Sequence, residues 1–397
     1  MSQPTTDLIH HPYVPPAGFA APQGGVFKAS TVIFPDVAAL RARDWKRKDG
    51  YTYGLHGTPT TFALEERIAT LEGGQQCLLA PSGLAAIANV LMALLRSGDE
   101  VLIPDNAYGP TKALAEGELK AWGITHQYYD ALNPADLQAR IGPSSRLVWL
   151  EAPGSVTMEF PDLPELVRLC RAAGVATALD NTWGAGLAFS AFELGQGGGA
   201  DISVHALTKY PSGGGDVLMG AIVTRDQDLH LRIKATHMRL GLGVGANDVE
   251  AVLRSLPTLS LRYRAHDAAA RELARWFQGR PEIAQVLHPA LEGSPGHRHW
   301  RDLCGSDGVA AGLFSVVFQE RHSPAQVDAF CDALRLFKLG YSWGGPVSLV
   351  VPYDMASMRS SRPGSWSHKG TLVRFSVGLE DVRDLRADLE QALEALA

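Results

Sequence analysis

The sequence predicts an α/β protein: a large domain built on a mainly parallel sheet covered by helices, and a smaller C-terminal α+β domain. Three observations predict it. Short apolar runs of strand length alternate with helical patterns from about residue 77 to residue 223, and glycines close those helical patterns. After about residue 247 the alternation gives way to a long helical zone and three further apolar runs. Strands buried on both faces read as continuous apolar segments, which is how a covered parallel sheet appears in sequence.

Taken in order, residues 1–26 are rich in Pro, Gly and polar side chains, which predicts an extended arm that orders only by packing on something else. "CLLA" from Cys77, "VLIP" from Val101, "RLVWLEAP" from Arg146, "VATALD" from Val175 and "ISVHA" from Ile202 each have strand length. Between them, "LAAIANVLMALLRSG", "TKALAEGELKAWG" and "LPELVRLCRAAG" carry helical spacing. A helical zone from Asn247 to Gln278 opens the second part, followed by "GLFSVVF", "PVSLVVP" and "TLVRFSV". A last helix buries Val382, Leu385, Leu389, Leu393 and Leu396 at intervals of three or four residues. The predicted division is 1–60 for the arm, 61–255 for the large domain and 256–397 for the small one.

Composition narrows the function. With 46% apolar and 20% charged residues over 397 positions, the chain is globular and long enough to bury a site. A balance of 36 basic against 42 acidic side chains, −6 overall, offers no field for nucleic acid or anionic membrane. "DWKRKDG" from Asp44 is then a solvated basic turn. The longest apolar run, from Leu84, is shorter than the roughly 20 residues a bilayer requires, and no Lys or Arg precedes Lys28 to form a secretory leader. Cys77, Cys170, Cys304 and Cys331 form no C-x-x-C pair and no metal spacing. They predict buried thiols in a reducing compartment, so the expected setting is cytoplasmic and the expected partners are a small-molecule substrate and further copies of the chain.

In open α/β sheets ligands bind beyond the carboxyl ends of strands, so polar residues that follow apolar runs are the ones to collect. Asp180 ends "VATALD", Thr208 and Lys209 follow "ISVHA", and Ser82 and Gly83 lead from "CLLA" into a helix. Each has an ordinary structural explanation: a helix cap, a salt-bridge partner, a surface lysine. Together they fit one ligand. A helix N-terminus suits a phosphate, a carboxylate suits a protonated ring nitrogen, and a desolvated amine suits an aldehyde. That ligand is pyridoxal 5′-phosphate. Arg374 lies inside the apolar run "TLVRFSV", where a guanidinium needs an anionic partner, either an internal carboxylate or a substrate's.

The chain resembles the pyridoxal-phosphate enzymes of cysteine and methionine metabolism. The resemblance rests on "YTYGLHGTPTTFALEERIATLEGG", "PSGLAAI", "DNAYGPT", "DNTWGAG", "ALTKY", "YSWGG" and "VRFSVGLED", which occur in the family's order from about residue 25 to the end. It implies the aspartate aminotransferase-like fold, fold type I. It also implies that Lys209 joins the cofactor aldehyde and moves the substrate proton, and that Asp180 partners the ring nitrogen. Gly83, Leu84 and Thr208 would hold the phosphate, Tyr108 would stack on the ring, and Ser155 would lie near the ring hydroxyl. Arg374 would clamp the substrate carboxylate with Ser342 and Trp343 beside it. Tyr53 would reach the phosphate of the neighbouring subunit, so that the arm completes a partner's site within a homotetramer, a dimer of dimers. "SWGG" and "EAPGSVTME" resemble the β-lyase branch, with γ-lyase or γ-synthase chemistry as the alternative, and a non-catalytic binding protein of the same fold as the alternative outside enzymes.

The chain departs from the family pattern in places. Leu55 stands where an arginine often holds the phosphate, with His56 beside it as a substitute. Ala206 replaces a serine, Ser155 an asparagine, Leu84 a methionine and Val347 a glutamate.

Overall fold

A computed structural model describes residues 3–9, 17–19, 21–48, 50–195, 198–359 and 366–396. Seven strands form the larger sheet: β1 (Gln76–Ala80), β2 (Glu100–Pro104), β3 (Thr125–Tyr129), β4 (Ser145–Glu151), β5 (Ala176–Asp180), β6 (Ile202–Ala206) and β7 (Gly220–Thr224). Their order is β1-β7-β6-β5-β4-β2-β3, with β7 antiparallel to both neighbours and every other pairing parallel. The five apolar runs predicted as strands are β1, β2, β4, β5 and β6. Sequence reading passed over β7, although its run GAIVT is buried throughout, and β3, whose residues THQYY lie at the sheet edge and are mostly half-exposed, so no continuous apolar run marks them.

Both faces of this sheet are covered, and the period of two divides its side chains cleanly. Leu102, Val148, Leu150 and Leu179 pack into one core; Val101, Ile103, Leu147, Trp149, Ala178 and Val204 pack into the other. The helix Gly83–Leu94 buries Ile87, Val90, Leu91 and Leu94 on the second face. Each such aliphatic side chain contributes about 2 kcal/mol on burial. On the first face lies the helix Pro59–Glu72, opened by a Thr58–Thr61 capping box with Pro59 in its first turn. It is closed by Gly73 at φ 76°, a left-handed position that favours glycine.

The second sheet contains β8 (Ile283–Leu287), β9 (Leu313–Phe318), β10 (Lys338–Leu339), β11 (Leu349–Tyr353) and β12 (Leu372–Ser376), in the order β10-β11-β12-β9-β8. The predicted helical zone is two helices, Ala246–Ser255 and Leu259–Gln278, separated by a tight turn at Leu256–Thr258 that contains Pro257. The longer helix ties the two halves together. Its Leu259 and Tyr263 belong to the core of the large sheet, and its Ala270, Leu273, Ala274 and Phe277 to the core of the small one. The helix Val382–Ala392 and the turn after it bury Leu385, Leu389, Leu393 and Leu396 as predicted.

The extended arm needs correcting. Pro4–Ile9 is a short helix, and Leu8 is buried in the main core, against the helix Pro59–Glu72 and the Leu256–Thr258 turn. Residues 10–16 and 20 of the expected arm lie outside the described residues. Farther on, Phe19, Val26, Phe27, Ile33 and Val37 expose large apolar side chains. All four cysteines are free, and burial pushes the thiols of Cys170, Cys304 and Cys331 up to about 12. Among the described residues, no helix is long and apolar enough to cross a membrane, and no group of three or more His, Cys, Asp and Glu could hold a metal ion.

Candidate active site

Strands β1, β2, β4, β5 and β6 share one direction, so their carboxyl ends meet along one edge of the large sheet, and β11 and β12 of the small sheet close over it. Between them lies a cavity of about 570 Å³. Gly83, Leu84, Tyr108, Ser155, Asp180, Thr208 and Lys209 line it from the large domain, and Ser342, Trp343 and Arg374 from the small one. Ten of the residues singled out in the sequence thus converge on one space.

Lys209 follows β6 on a turn in which its amide donates to the Ala206 carbonyl. Its Nζ donates to Ser342 Oγ at 3.1 Å and sits 5.5 Å from the centre of the Trp343 ring. Burial, reinforced by the Arg374 charge and only partly offset by Asp180, brings the amine down to about 8. Near pH 7 roughly a tenth of the amine is then free, far more than at the ordinary lysine value. Ser342 holds this contact from a φ of 104°, a conformation that costs a residue with a side chain about 1 kcal/mol or more.

Asp180 closes β5, and its Oδ1 accepts from both the amide and the hydroxyl of Thr182. Burial raises its pKa, against those hydrogen bonds and against the charges of His205 and Lys209. A cationic ring nitrogen in the cavity would favour the charged carboxylate. The helix Gly83–Leu94 begins at the same edge. Its N-cap Ser82 takes the amide of Ala85 on its side chain and that of Ala86 on its carbonyl, which leaves the amides of Gly83 and Leu84 for a ligand. A side chain at Gly83 would put Cβ 2.7 Å from that of Ala206, so glycine keeps this cradle open. Thr208 lines the cavity, but its hydroxyl and amide both donate to the Met219 carbonyl at 3.2 Å, so its hydroxyl must turn to meet a phosphate.

Arg374 is 6% exposed, donates from Nη1 to the Ser155 carbonyl at 3.0 Å, and lies 5.3 Å from the centre of the Tyr353 ring. Among the described residues no carboxylate pairs with it. A buried guanidinium in that state is a receptor for an anionic ligand. The internal salt bridge weighed as the alternative is therefore absent among the described residues.

Tyr53 is not part of the cluster in one chain: its ring is 47% exposed and packs edge-on to His56. Leu55 and His56 line a separate small void with Lys234 and His237. Burial, followed by the charges of Lys234, His237 and Arg43, lowers the His56 pKa, and its Nδ1 is held by Thr52 Oγ1 at 2.7 Å. That shift disfavours a positive charge on His56, the residue expected to substitute for the arginine at position 55. Sequence reading missed Glu151, Tyr353 and Met358, all of which line the cavity. Glu151 ends "RLVWLE", and the rule that selected Asp180 selects it equally.

The donor set fits pyridoxal phosphate: two helix amides, a desolvated carboxylate, a desolvated amine and an arginine that, among the described residues, has no carboxylate partner. Comparison with known proteins agrees. The sequence profile of the Cys/Met metabolism PLP-dependent enzymes matches residues 5–394. The cystathionine beta-lyase of Bordetella avium is 39% identical over 401 residues, covering 98% of this chain and 97% of the relative. Cystathionine beta-lyase MetC of Escherichia coli (strain K12) is 36% identical over 368 residues, covering 91% of each. The crystal structure of metB from Corynebacterium glutamicum superposes with a TM-score of 0.90 at 28% identity, covering 100% of this chain and 99% of that one. The chain belongs to the Cys/Met metabolism family of pyridoxal-phosphate-dependent enzymes.

Proposed function

We propose that the protein is a carbon–sulfur lyase that β-eliminates L-cystathionine, consuming one water and releasing homocysteine, pyruvate and ammonia. The observation that carries this reading is the buried Arg374, without a carboxylate partner among the described residues, sharing a cavity bordered by Asp180 with a half-buried lysine of lowered pKa.

When bound, pyridoxal phosphate supplies an aldehyde that condenses with amines and a ring that accepts electrons from the substrate Cα. The chain does the rest. The Gly83 and Leu84 amides would anchor the phosphate, and Asp180 would keep a proton on the ring nitrogen. Tyr108 would cover the ring and Ser155 would lie near its hydroxyl. Arg374 grips the substrate carboxylate through two parallel hydrogen bonds, which fixes the Cα–H bond relative to Lys209 Nζ. Lys209, with a pKa near 8, removes the Cα proton, and the sulfur leaves from Cβ as a thiolate that takes a proton to become homocysteine. Trp343 packs against Lys209 and narrows the space in which the substrate side chain can fold, which favours departure from Cβ over chemistry one carbon farther out.

We also infer a cytoplasmic homotetramer in which residues 1–60 serve the neighbouring subunit, with Tyr53 reaching its phosphate, and domains bounded near residues 255 and 256. The exposed apolar side chains of residues 19–37 support that reading, because a second chain would cover them. Product analysis with L-cystathionine tests the reaction. Pyruvate with homocysteine supports β-cleavage, and 2-oxobutyrate with cysteine refutes it in favour of γ-cleavage.

A further inference from the structure

Glu151 closes β4, and the register sets it beside Asp180 at the end of β5, so two carboxyls leave adjacent strands toward the same cavity. Its Oε2 accepts the backbone N–H of Tyr108 at 2.9 Å. Tyr108 is the N-cap residue of the short helix Gly109–Leu114, yet its own side chain makes no capping bond. Glu151 therefore supplies from a neighbouring strand the fixation that the local sequence lacks. The rest of this loop is bolted at other points. Lys112 Nζ donates to the Asp105 carbonyl at 2.9 Å, and Asn106 Nδ2 donates to Glu159 at 2.8 Å. At Tyr108 itself the amide to Glu151 is the hydrogen bond that holds the chain against the sheet.

We propose that Glu151 is a positioning residue that holds Tyr108 over the cofactor ring by accepting its backbone amide. The inference rests on the reading that Tyr108 covers that ring. The groups that face Glu151 are Asp180 on β5, Lys112 and the Tyr108 amide on the loop and helix, and Tyr129 on β3. Burial, followed by the neighbouring Asp180, raises its carboxyl pKa, against the Tyr108 amide and the Lys112 charge. What the hydrogen bond itself requires is an acceptor oxygen at this position. Glutamine keeps the shape and an acceptor oxygen, whereas alanine removes the acceptor of the Tyr108 amide.

The test uses full-length wild type, E151Q and E151A, stripped of cofactor and titrated with pyridoxal phosphate. It reads the cofactor Kd and the visible circular dichroism of the bound chromophore, which responds to how an aromatic ring lies on it. E151A should bind roughly ten-fold more weakly and lose much of the visible band, and E151Q should restore both. An E151A protein with wild-type affinity and dichroism overturns the inference, as does E151Q impaired to the level of E151A, because charge rather than acceptance would then matter. A wild type that takes up no pyridoxal phosphate overturns the reading beneath it as well.

Discussion

Replacing Lys209 by methionine should make the cofactor-free protein more stable at neutral pH. The amine titrates at about 8 in the folded chain instead of 10.5, a difference worth about 3 kcal/mol. Burial is the main cause and the charge of Arg374 the second. The unfolded chain holds this proton up to pH 10.5 and the folded chain only to about 8, so stability rises with pH between those values. Below pH 8 the full cost is present. Methionine removes the charge and keeps the volume, but it forfeits the Nζ–Ser342 hydrogen bond, worth about 1 kcal/mol. The net gain should be about 2 kcal/mol at pH 7 and close to zero at pH 10. Urea unfolding of both proteins without cofactor, at one protein concentration, reads it directly. A variant no more stable than wild type at pH 7, or a gain that persists unchanged at pH 10, would refute the argument that this lysine is held in an unfavourable charged state for its chemistry.

Arg374→Lys keeps the charge but loses the planar fork, so KM for L-cystathionine should rise roughly 100-fold with a smaller change in kcat; a kcat loss with KM unchanged would place the residue elsewhere in the cycle. Arg359 donates to Asp105 and to Glu159, with all three side chains buried, and Arg359→Gln leaves two acids facing each other. That variant should lose about 3 kcal/mol in urea unfolding, and a loss under about 0.5 kcal/mol would contradict the assignment. Lys209→Ala and Tyr53→Ala chains, each inactive alone, should recover roughly one quarter of wild-type activity when unfolded and refolded together, since half the dimers are mixed and each of those has one intact site. No recovery would remove Tyr53 from the partner's site.

Most of the large sheet was legible because its strands are buried on both faces, so burial alone writes an apolar run. β3 was hidden for the converse reason: an edge strand needs few apolar side chains. The helix Pro4–Ile9 was hidden because a single residue, Leu8, anchors it. At the site, Asp180, Lys209 and Gly83 could be read because each lies at or within three residues of the carboxyl end of a strand, and parallel strands bring such residues together. Arg359 could not, since its partner Asp105 is 254 positions away in the chain. The hydrogen bond from the Tyr108 amide to Glu151 leaves no mark in either local sequence. Tyr53 was identified by resemblance, and within one chain it lies outside the cavity.

The most direct test of the account is to reduce the purified holoenzyme with borohydride, digest it, and locate the pyridoxyl group by mass spectrometry. The account predicts the label on the peptide that carries Lys209, with none on Lys112 or Lys234. A label on another lysine, or a protein that retains no label, would contradict it.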